Sequence, residues 1–197
     1  MYRLSFLTIF CFFVLNGFTQ PKADNKTDEK GNKQGYWIKT NDKGKRVYEG
    51  TFKDDKPIGK FKYYNVDIDS VRIILDFQKD GKTAYSTNFH YNGKVAGKGK
   101  YINQQKDSTW NYYDESGKLL STENYLDGKR NGKSVTYDGP KTIEEKNYKD
   151  DKLNGNFKQY FGDKRLKSEG SYMNNEYYGK CTFYFPNGQA AATGVYD

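Results

Sequence analysis

The chain has 197 residues, 33 Lys plus Arg against 25 Asp plus Glu for a net charge of +8, and carries 19 Tyr, 13 Phe and 2 Trp. From residue 20 onward there are 28 aromatic residues but only 19 Ile, Leu and Val, too few branched aliphatics to fill a thick two-layer core. Few aliphatics and high polarity otherwise point to disorder; what excludes it here is that the rings recur at fixed intervals.

Met1-Tyr2-Arg3 is followed by an apolar run from Leu4 to Leu15, and Gly17 and Thr19 place small residues before a cleavage point at Thr19-Gln20. A charged start, a short apolar run and a small-residue exit predict a secretory signal over residues 1–19. The run is shorter than the roughly 20 apolar residues that a membrane-spanning helix needs. Cleavage would remove Cys11 and leave Cys181 as the one cysteine, so no internal disulfide is expected and packing with backbone pairing must hold the exported fold. Residues 20–34, rich in Lys, Asp, Asn and Gln, read as a polar tether.

Residues 35–197 repeat. Phe52, Phe77, Tyr101, Tyr125, Tyr148, Tyr172 and Tyr196 succeed one another at intervals of 25, 24, 24, 23, 24 and 24. A second column holds Thr40, Tyr64, Phe89, Tyr113, Tyr137, Tyr160 and Tyr184, and a third holds Trp37, Phe61, Ser86, Trp110, Ser134, Phe157 and Cys181. Two residues ahead of the third column stand Gly35, Gly59, Ala84, Ser108, Gly132, Gly155 and Gly179. Each unit contains two short segments of β character separated by Asx-Gly, Lys-Gly or Asx-Asx pairs, whose tolerance of positive φ suits tight two-residue hairpin turns. The prediction is an all-β, elongated, single-layer antiparallel meander of seven hairpin units. About fourteen strands at ~4.8 Å spacing make a sheet roughly 65 Å long. Asn65–Ser70 is expected to form a wider loop, and Gly139-Pro140-Lys141 a three-residue turn. Val71–Phe77, the most apolar segment after the leader, is expected to pack most thickly. Counting outward from the within-unit turns sets Trp37 opposite Gly50, Ser86 opposite Gly99, Trp110 opposite Glu123, Phe157 opposite Gly170 and Cys181 opposite Gly194. Four of the five pairs set a third-column residue against glycine, where a ring can cover exposed backbone.

The elements Gly59-Lys60-Phe61-Lys62-Tyr63-Tyr64, Asn92-Gly93-Lys94 and Glu169-Gly170-Ser171-Tyr172 resemble the bacterial variant of MORN (membrane occupation and recognition nexus) repeats. The resemblance spans residues 35–197 and implies a twisted β-meander whose stacked hairpins form a groove or platform. Some bacterial members are described as antitoxin-like, and others elsewhere have been linked to lipid binding and scaffolding. Ser86, Ser134 and Cys181 depart from the motif where it has an aromatic residue, as do Ala84 and Ser108 where it has glycine.

The residues imply no catalysis. His90 is the sole histidine, beside a turn, and reads as a solvated side chain; one Cys and one His cannot build a zinc site. Glu49, Glu145 and Glu169 recur at one repeat position and are therefore separated by at least a repeat width, ~10 Å. Gly97–Lys100 lacks the following helix that a phosphate loop requires. No cofactor or metal is implied. Cys181, among aromatic column-mates, reads as a small apolar packer, with an interchain disulfide as the alternative. A single-layer sheet leaves rings at its surface, and Trp37, Trp110, Tyr112 and Tyr113 are the candidate interaction residues. Lysines after the turns, such as Lys45, Lys82 and Lys118, line the long edges, where they favour solubility or an anionic partner. The expected function is that of an exported, non-enzymatic binding or scaffold protein in the periplasm or at the cell surface, taking a protein partner in an antitoxin-like or related role. Recognition of anionic lipid headgroups or glycans is the alternative. Nucleic acid is not expected, since no recognition element accompanies the charge.

Overall fold

The computed structural model describes residues 23–197; the leader reading and the first residues of the tether lie outside them. The described chain is all β, with seventeen strands in one antiparallel sheet. Fourteen long strands carry it: β2 (Lys33–Thr40), β3 (Arg46–Lys53), β4 (Lys56–Asn65), β5 (Ser70–Phe77), β6 (Thr83–Phe89), β7 (Val95–Ile102), β8 (Gln105–Tyr113), β9 (Leu119–Leu126), β11 (Gly132–Asp138), β12 (Lys141–Lys149), β14 (Gly155–Tyr160), β15 (Leu166–Met173), β16 (Glu176–Tyr184) and β17 (Ala190–Tyr196). Three two-residue strands, β1 (Lys26–Thr27), β10 (Lys129–Arg130) and β13 (Lys152–Leu153), complete it. Each long strand pairs with the next long strand in sequence, as a meander requires.

The five counted pairs are all present: Trp37↔Gly50, Ser86↔Gly99, Trp110↔Glu123, Phe157↔Gly170 and Cys181↔Gly194. The turns are of two kinds rather than one. Between units, Asp54-Asp55, Asp127-Gly128, Asp150-Asp151 and Asn174-Asn175 are the expected two-residue turns, with positive φ at both positions, and Asn103-Gln104 is a further one. Asp80-Gly81, expected to be another, instead lies in a longer turn: Gln78 N–H donates to Thr83 O, Gln78 O accepts from Gly81, and only Gly81 has positive φ. Within units, a type I turn ends on a left-handed residue. Asn41 shows the form: its N–H donates to Lys45 O, its carbonyl accepts from Gly44, and its Oδ1 accepts from the N–H groups of Lys43 and Lys45. Asx side chains supply the local acceptor that a two-residue loop would not need. Gly139-Pro140 is a two-residue turn between Asp138 and Lys141, shorter than expected. Four residues, 66–69, close the wider loop between Asn65 and Ser70.

Two bulges recur in the unit. One leaves a residue of the second strand unpaired, as Val47 is between the pairs Lys39↔Tyr48 and Thr40↔Arg46. The other lies between units, where Glu49↔Lys62 and Thr51↔Ile58 set three residues against Gly50. It is here that Gly59, Gly132, Gly155 and Gly179 have positive φ, and Ser108 adopts it as well. The repeat glycine is therefore a left-handed bulge position. Ala84 takes no such conformation, and β5 and β6 pair with no shift across Leu75↔Ser86.

The segment read as a tether is engaged in its described part. Lys26 and Thr27 pair with β2, Asp24 and Asn25 donate backbone N–H groups to Tyr36 O, and the Asn25 amide bonds both N–H and C=O of Ile38. A side-chain amide thus stands in for a strand along the β2 edge.

Candidate functional site

Strand alternation sorts the columns onto two faces. Columns one and three share a face and meet on it. Ring centroids lie 5.0 Å apart for Phe52–Phe61, 5.5 Å for Phe61–Phe77, 5.0 Å for Tyr101–Trp110 and 4.7 Å for Phe157–Tyr172. Tyr48, Tyr63, Tyr112 and Tyr177 join them. The third column is the core: Phe61, Ser86, Trp110, Phe157 and Cys181 are buried, while the first-column rings beside them are mostly half-buried. Val71–Phe77 contributes no buried side chain, its residues being half-buried except for exposed Arg72, so the thickest packing lies on the third column instead.

The side chain over Gly50, Gly99 and Gly170 comes from the following unit, not from the residue paired with it; over Gly194, in the last unit, lies Tyr196 of the same strand. A Cβ at Gly50 would fall 2.4 Å from the Phe61 ring, one at Gly99 2.1 Å from Trp110, and one at Gly170 2.4 Å from Cys181 Sγ. This explains the serines. Ser86 meets Leu75, which stands in the glycine column, and the register Val135↔Thr122 brings Ser134 beside Glu123 in the same column. At these two places a small residue faces a side chain where Phe61 and Trp110 face glycine, which conserves volume in a close-packed layer; Phe157 beside Lys146 and Cys181 over Gly170 do not follow the exchange.

A further column, four residues ahead of the third, covers the rings: Lys33, Pro57, Lys82, Lys106, Arg130, Leu153 and Tyr177. Lys106 Nζ lies 4.7 Å from the Trp110 ring centroid and 4.8 Å from that of Tyr125, and donates to Tyr112 Oη at 2.7 Å. Lys33 lies 4.8 Å from Phe52, and the Arg130 guanidinium 4.1 Å from Tyr148. Such contacts add ~0.5–1 kcal/mol each at exposed sites and more when desolvated. The next turn fixes this column in place: Asp55, Asp151 and Asn175 each accept from the backbone N–H of Lys33, Arg130 or Leu153 and return their own N–H to its carbonyl. Its residue types share no chemistry, so only the register reveals it.

The opposite face is polar. Glu49 is buried between Lys62, 2.7 Å away, and Arg46, with Tyr64 beside it; Tyr184 donates to Glu169 at 2.9 Å in the equivalent place. Burial pushes the Glu49 carboxyl up, but hydrogen bonds from Lys62 and Tyr64 and the two cations outweigh it and hold the group below the ordinary carboxylate value. The Tyr64 phenol is pushed well up by burial and by the adjacent carboxylate.

The four candidate interaction residues do not form a shared exposed row. Trp110 is fully buried under Lys106, its indole N–H donating to Lys100 O, because its ring is what fills the space over Gly99. Trp37 is half-buried beneath Lys33 and donates to Gln34 O. Tyr112 stays half-exposed on the ring face, bonded to Lys106 and Tyr125. Strand alternation turns Tyr113 to the polar face. His90 is not a free solvated side chain: its Nε2 lies 2.9 Å from Tyr113 O of the next unit, so that nitrogen carries the proton and ties two units together. Buried Cys181 is an internal packer, which removes the interchain disulfide. Among the described residues no group of three or more His, Cys, Asp and Glu could hold a metal ion. The ring face holds three aromatic clusters, Trp37 to Phe77, Tyr101 to Tyr125 and Phe157 to Tyr196, covered in part by the cation column.

No family model matches the chain, and no curated protein matches it. Among solved structures it is similar to the Staphylococcus aureus TarM G117R mutant in complex with Fondaparinux, alpha-GlcNAc-glycerol and UDP, at 14% identity and a TM-score of 0.31 over 59% of this chain and 20% of that one. It is also similar to TarM in a second crystal structure, at 10% identity and a TM-score of 0.30 over 59% and 20% of the two chains. The chain thus matches about a fifth of that protein's length, and at these TM-scores the likeness carries no argument about activity.

Proposed function

We propose that this is an exported, non-enzymatic binding protein of the MORN-like type, whose ring face receives a protein partner. The observation that carries the reading is a face bearing three clusters of buried and half-buried rings, backed by a polar face whose charges largely satisfy one another. Rings exposed in rows, with cations and tyrosine hydroxyls between them, are what interfaces use as anchors. A protein is favoured over a lipid surface because three of the four cations in the covering column, Lys33, Lys106 and Arg130, lie over rings and are not held out towards headgroups; Lys82 alone of the four is exposed. Neutralisation of a toxic partner is one form the interaction would take.

Affinity capture of the mature chain from a native envelope extract tests this. A stoichiometric protein complex is the expected result. Co-sedimentation with anionic liposomes that falls with salt, in the absence of any captured protein, would replace the reading. Harmless expression of the captured partner alone would remove the neutralisation role.

A further inference from the structure

The third unit interrupts the ring face in a way no other unit does. Ala84 lacks the left-handed bulge, Ser86 replaces the core ring, and Leu75 fills the glycine column beneath it. The turn that follows places Gln104 where Asp55, Asp151 and Asn175 stand elsewhere, so the Lys82 N–H turns to Asp80 Oδ1 rather than to that turn. Lys82 is the one cation of the covering column that is exposed; Lys33, Lys106 and Arg130 are half-buried over rings. Among the described residues its ammonium lies over no ring and pairs with no carboxylate.

Beside it lies a concavity of about 720 Å³. Leu75 and buried Ala84 contribute to its lining, as do Pro57 and Ile73, and the last ring of the first cluster, Phe77, faces the first ring of the second, Tyr101, across it. The column's three other cations each lie over a ring. Here the charge and the apolar walls are present and no ring lies under the charge.

We infer that this notch is the anchor pocket of the ring face, and that it takes one aromatic side chain of a partner polypeptide with a carboxylate next to it in sequence. The ring would fill the gap between Phe77 and Tyr101, and the carboxylate would meet Lys82 at the rim. Two features favour an acidic polypeptide: the charge of the chain, +8, and the two exposed cations of the lining, Lys82 and Arg72. The inference rests on the protein-binding reading and narrows it to one place.

The test uses the mature chain and acetyl-Glu-Trp-Glu-amide, with acetyl-Lys-Trp-Lys-amide as its charge-reversed control, followed by the methyl resonances of Ala84, Leu75 and Ile73. The acidic peptide is expected to shift these three residues saturably and to bind more tightly than the basic one. Lys82→Glu, an exposed substitution that leaves the fold intact, should weaken the acidic peptide by roughly threefold or more and strengthen the basic one. Equal binding of both peptides, indifference to Lys82→Glu, or shifts spread evenly over all three ring clusters would overturn the pocket. Retention of a captured partner by Lys82→Glu and by a Tyr101→Ser variant shown to be folded would overturn the pocket while leaving the platform intact. Pocket binding of the peptide where no protein is captured would support the pocket and sink the platform.

Discussion

Gly99→Ala is the sharpest single perturbation of the ring face, because its control lies two residues away on the same strand and the same side. The added Cβ at Gly99 would sit 2.1 Å from Trp110 Cδ2, 2.2 Å from Cε2 and 2.5 Å from Cγ. To restore a 3.4 Å contact the indole must retreat by about 1.3 Å, out of a fully buried site and away from the Lys100 carbonyl it bonds. The cost falls between the ~1–3 kcal/mol of overpacking and the ~3–5 kcal/mol of losing a buried Trp side chain. At Gly97 the same methyl would meet Tyr112 Cδ1 at 3.4 Å, an ordinary contact, and neither glycine has a positive φ. Gly97→Ala should therefore be neutral, or stabilising by up to about 1 kcal/mol through the unfolded chain. Urea unfolding followed by far-ultraviolet circular dichroism measures both, and hydrogen exchange over β7 and β8 detects a unit that opens alone, as repeat arrays can. In a Trp110→Ala background the penalty of Gly99→Ala should largely vanish, which isolates the coupling. Equal destabilisation by the two glycine variants, or a penalty that survives removal of the indole, would refute ring-over-glycine packing.

Alkali should unfold the sheet before it titrates the rings. Burial pushes the phenols of Tyr64, Tyr101, Tyr125 and Tyr172 above their ordinary value of 10.0. Their contribution is complete below that pH and is lost as pH rises through the higher folded values. Tyrosinate absorbance should rise in step with loss of the circular dichroism; ionisation of most tyrosines near pH 10 with the sheet intact would contradict the burial. Glu49 works in the other direction. Its folded value lies below 4.5, so it stabilises above that pH and the effect is lost as pH falls through the folded value. Glu49→Gln should cost about 1–2 kcal/mol at neutral pH and flatten part of the acid limb in pH-dependent urea titrations. His90→Ala should cost about 1 kcal/mol by removing the bond to Tyr113 O, with faster exchange confined to the adjoining turns.

Much of the fold was legible because antiparallel pairing is arithmetic. Once Lys43-Gly44 and its equivalents are taken as turns, Trp37↔Gly50 and the other four pairs follow by counting. What the count could not show was which neighbour's ring lies over a glycine. The bulge at Gly59 or Ser108 sets three residues against one and slides Phe61 and Trp110 over the preceding unit. That shift buries Trp110, which the count alone places in an exposed row; Leu75 meets Ser86 where the shift is absent. The covering column left no signal in composition, since Lys33, Leu153 and Tyr177 have nothing in common except register. The turn chemistry was half legible: Asx-Asx pairs announce positive φ, but the within-unit turns differ through side-chain bonds such as those of Asn41.

The most direct test of the account is a footprint of the captured complex, with tyrosine modification compared between the free and bound chain. Protection should fall on Tyr63, Tyr101 and Tyr112, which line one face, and leave Tyr113, Tyr137 and Tyr160 on the other as reactive as before. Protection of that second set with the first unchanged would show that the partner sits on the polar side, and the ring face would lose its role.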